Sequence, residues 1–568
     1  MALRVVIFST NAGNQQYGLG QDAKLLELTL RELVAIGKSS SITIEQRDPL
    51  KYIGETYADI HIYLEVPCRA AFPFAKVNVV IPNPEWWIKD EWAWVKAEPS
   101  CLFLHKTLHS QALFSNGLFT GWRFPAPLPN KETTIVKKEQ FLYVVGGSKN
   151  KMKAALKIAE MWLPEYNPLI IVARVAGPEK PNVIWETGFL PLEKLSSLQK
   201  ESVYHIVASL GEGFGYTMAE ALSIGARVLW TDIPVYKEIW GELLGNNGVI
   251  KTSKDESETV MLDTSNSFTE KSLRKAFLSI KDQVPEKSIS FINNHNKQFK
   301  SRFFEAWTKI ISRTKKAEQV VLTAPSVLPV LGVITLVKNR PNWFINAVRN
   351  LEISDWPRDS IVWVIVDDGD SDKRVDRYIE KVQQRLPQLN IVYVSLPKPL
   401  TIGAKRNLGI KRALEANAQV SVIAFMDDDD HYPATSLKRR VSWLHSYKCG
   451  AVYCSTLPMY DTTHYISAMN VPPLDLSPRK RVSEATLCFK VSFWQACGFP
   501  DISVAEGEGF LEGRELETIE IPPTGVIVSF LHGKNFTSRR VPDSTVANGC
   551  HYGFSDEYFT MISQLGAV

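Results

Sequence analysis

The chain has 568 residues, 45% hydrophobic and 22% charged, with a formal net charge of +4. At about 150 residues per domain that length predicts roughly four structural units. The balance argues against wholesale disorder, a fibrous repeat and generic coating of nucleic acid, and seven cysteines with no Cys-x-x-Cys pair argue against a disulfide scaffold or a structural zinc site.

The first residues enter a β-branched run at once, without the apolar core and cleavage site of a secretory signal. Strands are expected at 4–8, 41–46, 60–64, 77–81 and 102–104, interleaved with helix-like segments as a parallel sheet requires. Ser9 to Gly13 and Tyr17 to Gly20 read as a loop at a cleft. The run Pro82-Asn83-Pro84-Glu85-Trp86-Trp87, with Trp92 and Trp94, is dense in aromatic faces, which stack on sugars or pack a core. His105 or Lys106, ending the last of these strands, is a candidate to face the cleft.

A second alternation places strands at 141–145, 169–172, 183–185, 204–207 and 227–230, and helices at 151–162 and 217–224. Residues 210–222 form a Gly-rich turn leading into a helix, with Glu212 and Glu220 eight positions apart. Gly213 and Gly215 would let the backbone approach a ligand, and a helix N-terminus offers free N–H groups to a diphosphate. Glu220, two turns on, could reach a ribose diol. An ordinary strand–turn–helix junction would read the same way.

That phrase resembles the Glu-x7-Glu motif of family 4 glycosyltransferases with the GT-B fold, in which two Rossmann-like domains face a cleft. The resemblance implies that Glu212 contacts sugar or acceptor and that Glu220 contacts the donor ribose. It also implies an Arg and a Lys after the first strand of the second domain, holding the diphosphate. Gly147 stands at the Arg position, leaving Lys149 or Lys151 to supply the charge.

Residues 296–312 put Phe299, Phe303, Trp307, Ile310 and Ile311 on one helical face. A charged patch and a Pro-containing linker follow, marking the best domain boundary. Residues 320–337 carry no charge over a length that could span a bilayer, but Pro325 and Pro329 would break a helix there. The expectation is a linker, a buried strand at 331–337, no transmembrane segment and a cytoplasmic protein.

A third alternation has strands at 333–337, 361–366, 391–394, 422–426 and 451–455. Asp367-Asp368-Gly369-Asp370-Ser371-Asp372 ends one strand, where α/β sheets bind nucleotides. Gly403 to Ile410 opens a helix carrying Lys405 and Arg406, and Arg406 suits a phosphate or base edge. Asp427, Asp428, Asp429 and Asp430 follow another strand. Side chains two apart on a strand share a face, so Asp427 and Asp429 are expected to converge on one point, where Mg²⁺ or Mn²⁺ could bridge them to a diphosphate.

Together these segments resemble GT-A glycosyltransferases of family 2, over roughly residues 333–540. The resemblance implies that Asp368 contacts the nucleoside, that Arg406 and Asp428 lie at the donor, and that Asp427 and Asp429 hold a metal–diphosphate. His532, in a late His-x-x-Asn-x-Thr element, would be a third metal ligand. The family's Glu-Asp pair is replaced by Ala505-Glu506-Gly507-Glu508, so Glu506 or Glu508 would be the base, with a slight preference for Glu508.

The expected fold class is therefore α/β: GT-B domains at 1–135 and 136–318, a linker at 319–330, and a GT-A domain at 331–568. The expected function is a bifunctional glycosyltransferase moving sugars from nucleotide-sugar donors to a glycan or glycoconjugate, retaining and metal-independent in the first half, inverting and metal-dependent in the second. The alternative keeps catalysis in the GT-A half alone and makes the GT-B half a glycan- or partner-binding module. A nucleotidyltransferase is a third reading, and nucleic acid is not an expected partner.

Overall fold

The computed structural model describes residues 2–10, 18–37, 41–51, 54–125, 136–188, 190–255, 260–263, 265–532 and 546–566. The chain divides into two compact units, one of residues 1–49, 58–67 and 75–318 and the other of 50–57, 68–74 and 319–568. The expected loop positions 11–13 and 17, and the late motif beyond His532, lie outside the described residues.

The first unit holds two six-stranded parallel sheets. One runs Ile42–Arg47, Leu3–Phe8, Ala58–Leu64, Ala75–Ile81, Cys101–His105, Leu118–Phe119. The other runs Val249–Ile250, Arg227–Thr231, Ser202–Val207, Lys138–Gly146, Leu169–Ala173, Val183–Thr187. Val5, Val6, Ile7 and Phe8 are fully buried, which is why this strand reads as an unbroken apolar run: helices cover both faces of a parallel sheet. Every strand expected here is present, extended by a residue or more at one or both ends except 41–46, which is shifted by one residue to Ile42–Arg47. Leu118–Phe119 and Val249–Ile250 are too short to carry a period and went unread.

The expected amphipathic helix is longer than its apolar stripe, spanning Ser288–Lys316. Phe299, Phe303, Trp307 and Ile310 share one core with Leu30 and Ile62 and with Trp230 and Tyr236. Arg313, Lys315 and Lys316 occupy its last turn, where positive charge suits the carbonyl end of the helix dipole.

In the second unit a seven-stranded sheet runs Asn390–Ser395, Ile361–Asp367, Val330–Val337, Val420–Phe425, Cys488–Lys490, Ala451–Tyr453, Thr518–Glu520. The first four strands are parallel, and Cys488–Lys490 is antiparallel to both neighbours. Their carboxyl ends bring residues 337–340, 367–370 and 426–429 together. A smaller sheet runs Asp430–His431, Val528–Leu531, Leu457–Asp461, Ile466–Asn470, and helix Asp556–Gly566 shares a core with it through Tyr558 and Ile562. Residues 320–329 are neither helix nor strand, and Val330–Val337 is a sheet strand. Among the described residues no helix is long and apolar enough to cross a membrane. All seven cysteines are unbridged.

Candidate functional site

In the second unit, strand Ile361–Asp367 delivers two acids with different fates. Asp367 is fully buried and accepts hydrogen bonds from Gly369 N, Val375 N and Tyr393 Oη, so it shapes the loop. Asp368 accepts from Lys405 Nζ at 3.0 Å through Oδ1, while its Oδ2 is buried with no hydrogen-bond partner. Helix Ile402–Ala416, capped by Thr401, presents Lys405 and Arg406 from its first turns. Arg406 donates from Nε to Glu506 Oε1 at 3.0 Å and lies over the Phe425 ring, yet its Nη1 is buried without a partner. Burial alone would weaken this cation; Asp427, Glu506 and Glu484 hold its pKa above the ordinary value. An orphaned acceptor and an orphaned donor at strand and helix ends mark a place for a polar ligand.

The acidic turn departs from the expected alternation. The strand stops at Phe425, and residues 428–429 are in a turn, so the two-residue period that would aim Asp427 and Asp429 together does not apply. Asp427 bears on Arg406. Asp428 and Asp429 are both gripped by Arg340, with Nη2 donating to Asp428 Oδ1 at 2.6 Å and Nη1 to Asp429 Oδ2. His532 lies 3.1 Å from the same Asp429 oxygen and stacks on Trp343. Asp430 faces away from this cluster, accepting from Ser529 Oγ and Phe530 N. Among the described residues no three His, Cys, Asp or Glu side chains are grouped to hold a metal ion. Arg340 supplies the positive charge beside Asp428 and Asp429 in this arrangement.

Helix Glu506–Leu511 separates the two candidate bases. Glu506 is 4% exposed and faces Arg406. The Glu508 side chain is 36% exposed, with Arg479 at 3.9 Å. Beside Glu506, the Glu484 carboxyl accepts from Gly507 N, and burial together with the Glu506 charge pushes its pKa up to about 7. The first turn of this helix points Glu506 at the cluster and leaves Glu508 beside Arg479.

The first unit has a cleft of about 650 Å³. Glu212, Glu220, Gly213, Gly215 and Lys151 all line it; Lys149 does not, and is exposed at the start of helix Lys149–Met161. Lys151 Nζ lies 3.0 Å from Glu212, which also accepts from Tyr236 Oη. Glu220 accepts from Gln199, and burial holds its carboxyl above the ordinary range against the opposing charge of Lys151. Gly215 has φ of +85°, and a Cβ there would collide with Tyr236. A Cβ on Gly213 would sit 2.5 Å from Asn83 Oδ1. Gly215 is therefore required by the backbone of this turn, whereas a side chain at Gly213 would have to displace Asn83. Arg174 lines the same cleft, and a Cβ on Gly147 would lie 3.1 Å from its guanidinium: a cation from the neighbouring strand end stands at the position where the chain itself has glycine.

Lys106 is a cleft residue and His105 is not. Lys106 donates to Asp22 at 2.6 Å and to Asn83 at 3.1 Å, whereas both ring nitrogens of His105 are engaged, by Ser110 and Asn116. Of the tryptophans, Trp86 lines the cleft while Trp87 and Trp92 pack in the core. Four groups went unread: Glu65, Glu85, Arg174 and, in the second unit, Arg340. Each lies within a few residues of the carboxyl end of a parallel strand, the position where α/β sheets gather ligand-binding groups.

The cleft acids make the first unit sensitive to pH. Burial, reinforced by Asp22 and opposed by Lys106 and Asn83, pushes Glu65 up to about 7. An acid raised on folding binds its proton more tightly in the folded state, so its stabilising effect is complete below about pH 4.3 and is lost as pH rises to about 7. Lowering pH from 7.5 to 5.5 should therefore stabilise the protein relative to Glu65→Gln by about 1 to 2 kcal/mol, measured by denaturant unfolding. Parallel pH dependence of the two proteins would refute the assignment.

Residues 333–493, within the second unit, match the family described as Glycosyl transferase family 2. The curated O-antigen chain mannosyltransferase RfbU of Salmonella typhimurium is 27% identical over 183 residues, covering 29% of this chain and 45% of the relative. The chain thus spans about half the length of the curated relative it matches. Similar solved structures include the mannosyltransferase PcManGT from Pyrobaculum calidifontis in complex with GDP-Man and Mn²⁺, at 18% identity, 39% of this chain, 63% of that one and a TM-score of 0.30. TarS 1-349 of S. aureus is 16% identical over 35% of this chain and 60% of that one, with a TM-score of 0.28.

Proposed function

We propose that the chain is a bifunctional glycosyltransferase that moves sugars from nucleotide-sugar donors to a glycan or glycoconjugate, with one transfer site in each unit. The observation that carries the reading is in the family 2 domain: Asp368 Oδ2 and Arg406 Nη1 are buried without partners inside the matched segment. A nucleoside N–H or ribose hydroxyl would complete Asp368, and a donor oxygen would complete Arg406. Glu506, oriented by its ion pair with Arg406, would take the proton of the acceptor hydroxyl as that oxygen displaces the nucleoside diphosphate with inversion. Arg340, held between Asp428 and Asp429, would fix the acidic turn and supply positive charge beside it.

The first unit would act as a GT-B module that retains configuration. Its Gly-rich turn leaves the N-terminus of helix Tyr216–Ser223 open to the cleft, and N–H groups there suit a diphosphate. Lys151 and Arg174 add charge at the same cleft, and Glu220 would bind the donor ribose. The presence of Arg174 beside Gly147 favours an active first unit over a glycan-binding module.

Incubation of the full chain with a panel of nucleotide sugars and glycan acceptors tests the reaction class. Release of nucleoside diphosphate is expected. Release of pyrophosphate would mean nucleotidyl transfer and refute the proposal.

A further inference from the structure

The second unit contains a cavity of about 600 Å³ that neither proposed transfer site uses. Its walls come from helix Phe344–Ile353, strand Asp430–His431, the turn at 523–525 and residues 551–558. Two polar groups meet this space without partners. Arg349 Nη1 is buried and makes no hydrogen bond, and His431, 8% exposed, has Nδ1 unpaired. The Arg349 guanidinium lies over the Tyr558 ring at 3.7 Å from its centroid, and among the described residues no carboxylate pairs with it. The His431 ring is 5.1 Å from those of Phe554 and Tyr558.

A guanidinium with one nitrogen buried and no counter-ion is costly, and an anion reaching it would offset that cost. A guanidinium forks onto two oxygens of a phosphate or carboxylate, and the adjoining nitrogen of His431 offers a further hydrogen bond. Aromatic walls favour a ring with apolar faces beside the charge. A volume near 600 Å³ suits a small molecule and not a polymer segment.

We infer that this cavity is a separate binding site for a small anionic ligand, a sugar-sized ring carrying a phosphate or carboxylate group that pairs with Arg349. The site stands apart from the donor groups: Arg349 touches neither Asp368 nor Arg406, and the unpaired atoms of the two places are different. It shares a support with the acidic turn, however. Asn346 donates to the carbonyl oxygens of Asp428 and Asp430, Asn350 donates to Asp430 O, and Tyr558 Oη donates to Asn346.

Calorimetric titration of the full chain with glucose 1-phosphate, glucuronate and glucose tests this. The two anions distinguish phosphate from carboxylate as the recognised group; neutral glucose controls for ring binding alone. At least one anion is expected to bind saturably, with at least tenfold weaker binding in Arg349→Gln. Thr524→Trp, which fills the cavity and leaves Arg349 in place, should lose binding as well, so a folding defect in one variant cannot decide the matter. Absence of saturable anion binding, equal binding of glucose, or wild-type affinity in either cavity variant overturns the inference.

Discussion

Glu506→Gln should lower sugar transfer by the second unit by about 10²- to 10⁴-fold, the usual contribution of a general base. Glu508→Gln should stay within about twofold of wild type, as exposed substitutions generally do. Glutamine keeps an oxygen that can accept from Arg406 Nε, so the 3.0 Å contact that orients the side chain survives while proton acceptance is lost. The surroundings favour Glu506 in this role. It is buried beside Arg406, the Glu484 carboxyl next to it is pushed up to about 7, and Asp427 bears on the same guanidinium. Glu508 is turned toward Arg479 instead. Initial rates with saturating donor, together with binding of nucleoside diphosphate, separate the effects. A fall in rate without loss of nucleotide affinity supports the base, and a larger fall in Glu508→Gln would move the role there.

How far the sequence could carry this depends on the kind of information each residue holds. Parallel strands are buried on both faces, so 4–8, 361–366 and 422–426 stand out as apolar runs and were placed within a residue or two. Motif positions on those strand ends were legible for the same reason: Asp368, Arg406, Glu212 and Glu220 lie where strand and helix ends had to put them. Direction was harder to read. Strand alternation cannot aim Asp427 and Asp429, because the strand ends two residues before the first of them. Glu506 and Glu508 cannot be told apart without knowing which side of a six-residue helix faces Arg406. Partners from distant strands were the other blind spot. Arg340 lies 88 residues from Asp428, and Arg174 approaches Gly147 only because adjacent strands of one sheet bring them together. No local spacing encodes either meeting.

Glu220→Ala should remove one sugar addition and Asp429→Asn the other, each leaving its counterpart intact. Losing the carboxylate that is proposed to hold the donor ribose should slow the first transfer by about 10- to 100-fold, the range for a hydrogen bond to a charged group. The Asp429 substitution acts more widely, because one carboxylate oxygen receives both Arg340 and His532. Neutralising it frees the guanidinium from half of its fork and loosens the turn that carries Asp427 and Asp428. The two substitutions lie in separate compact units, so their effects on the two transfers should be independent. The direct measurement is the mass of the products that wild type, Glu220→Ala and Asp429→Asn form from one acceptor mixture with the required nucleotide sugars, sampled when wild type has just consumed the acceptor. Two sugar increments with wild type, and a different one missing from each variant, are the predicted result. An unchanged set of product masses with Glu220→Ala would contradict two transfer sites on one chain.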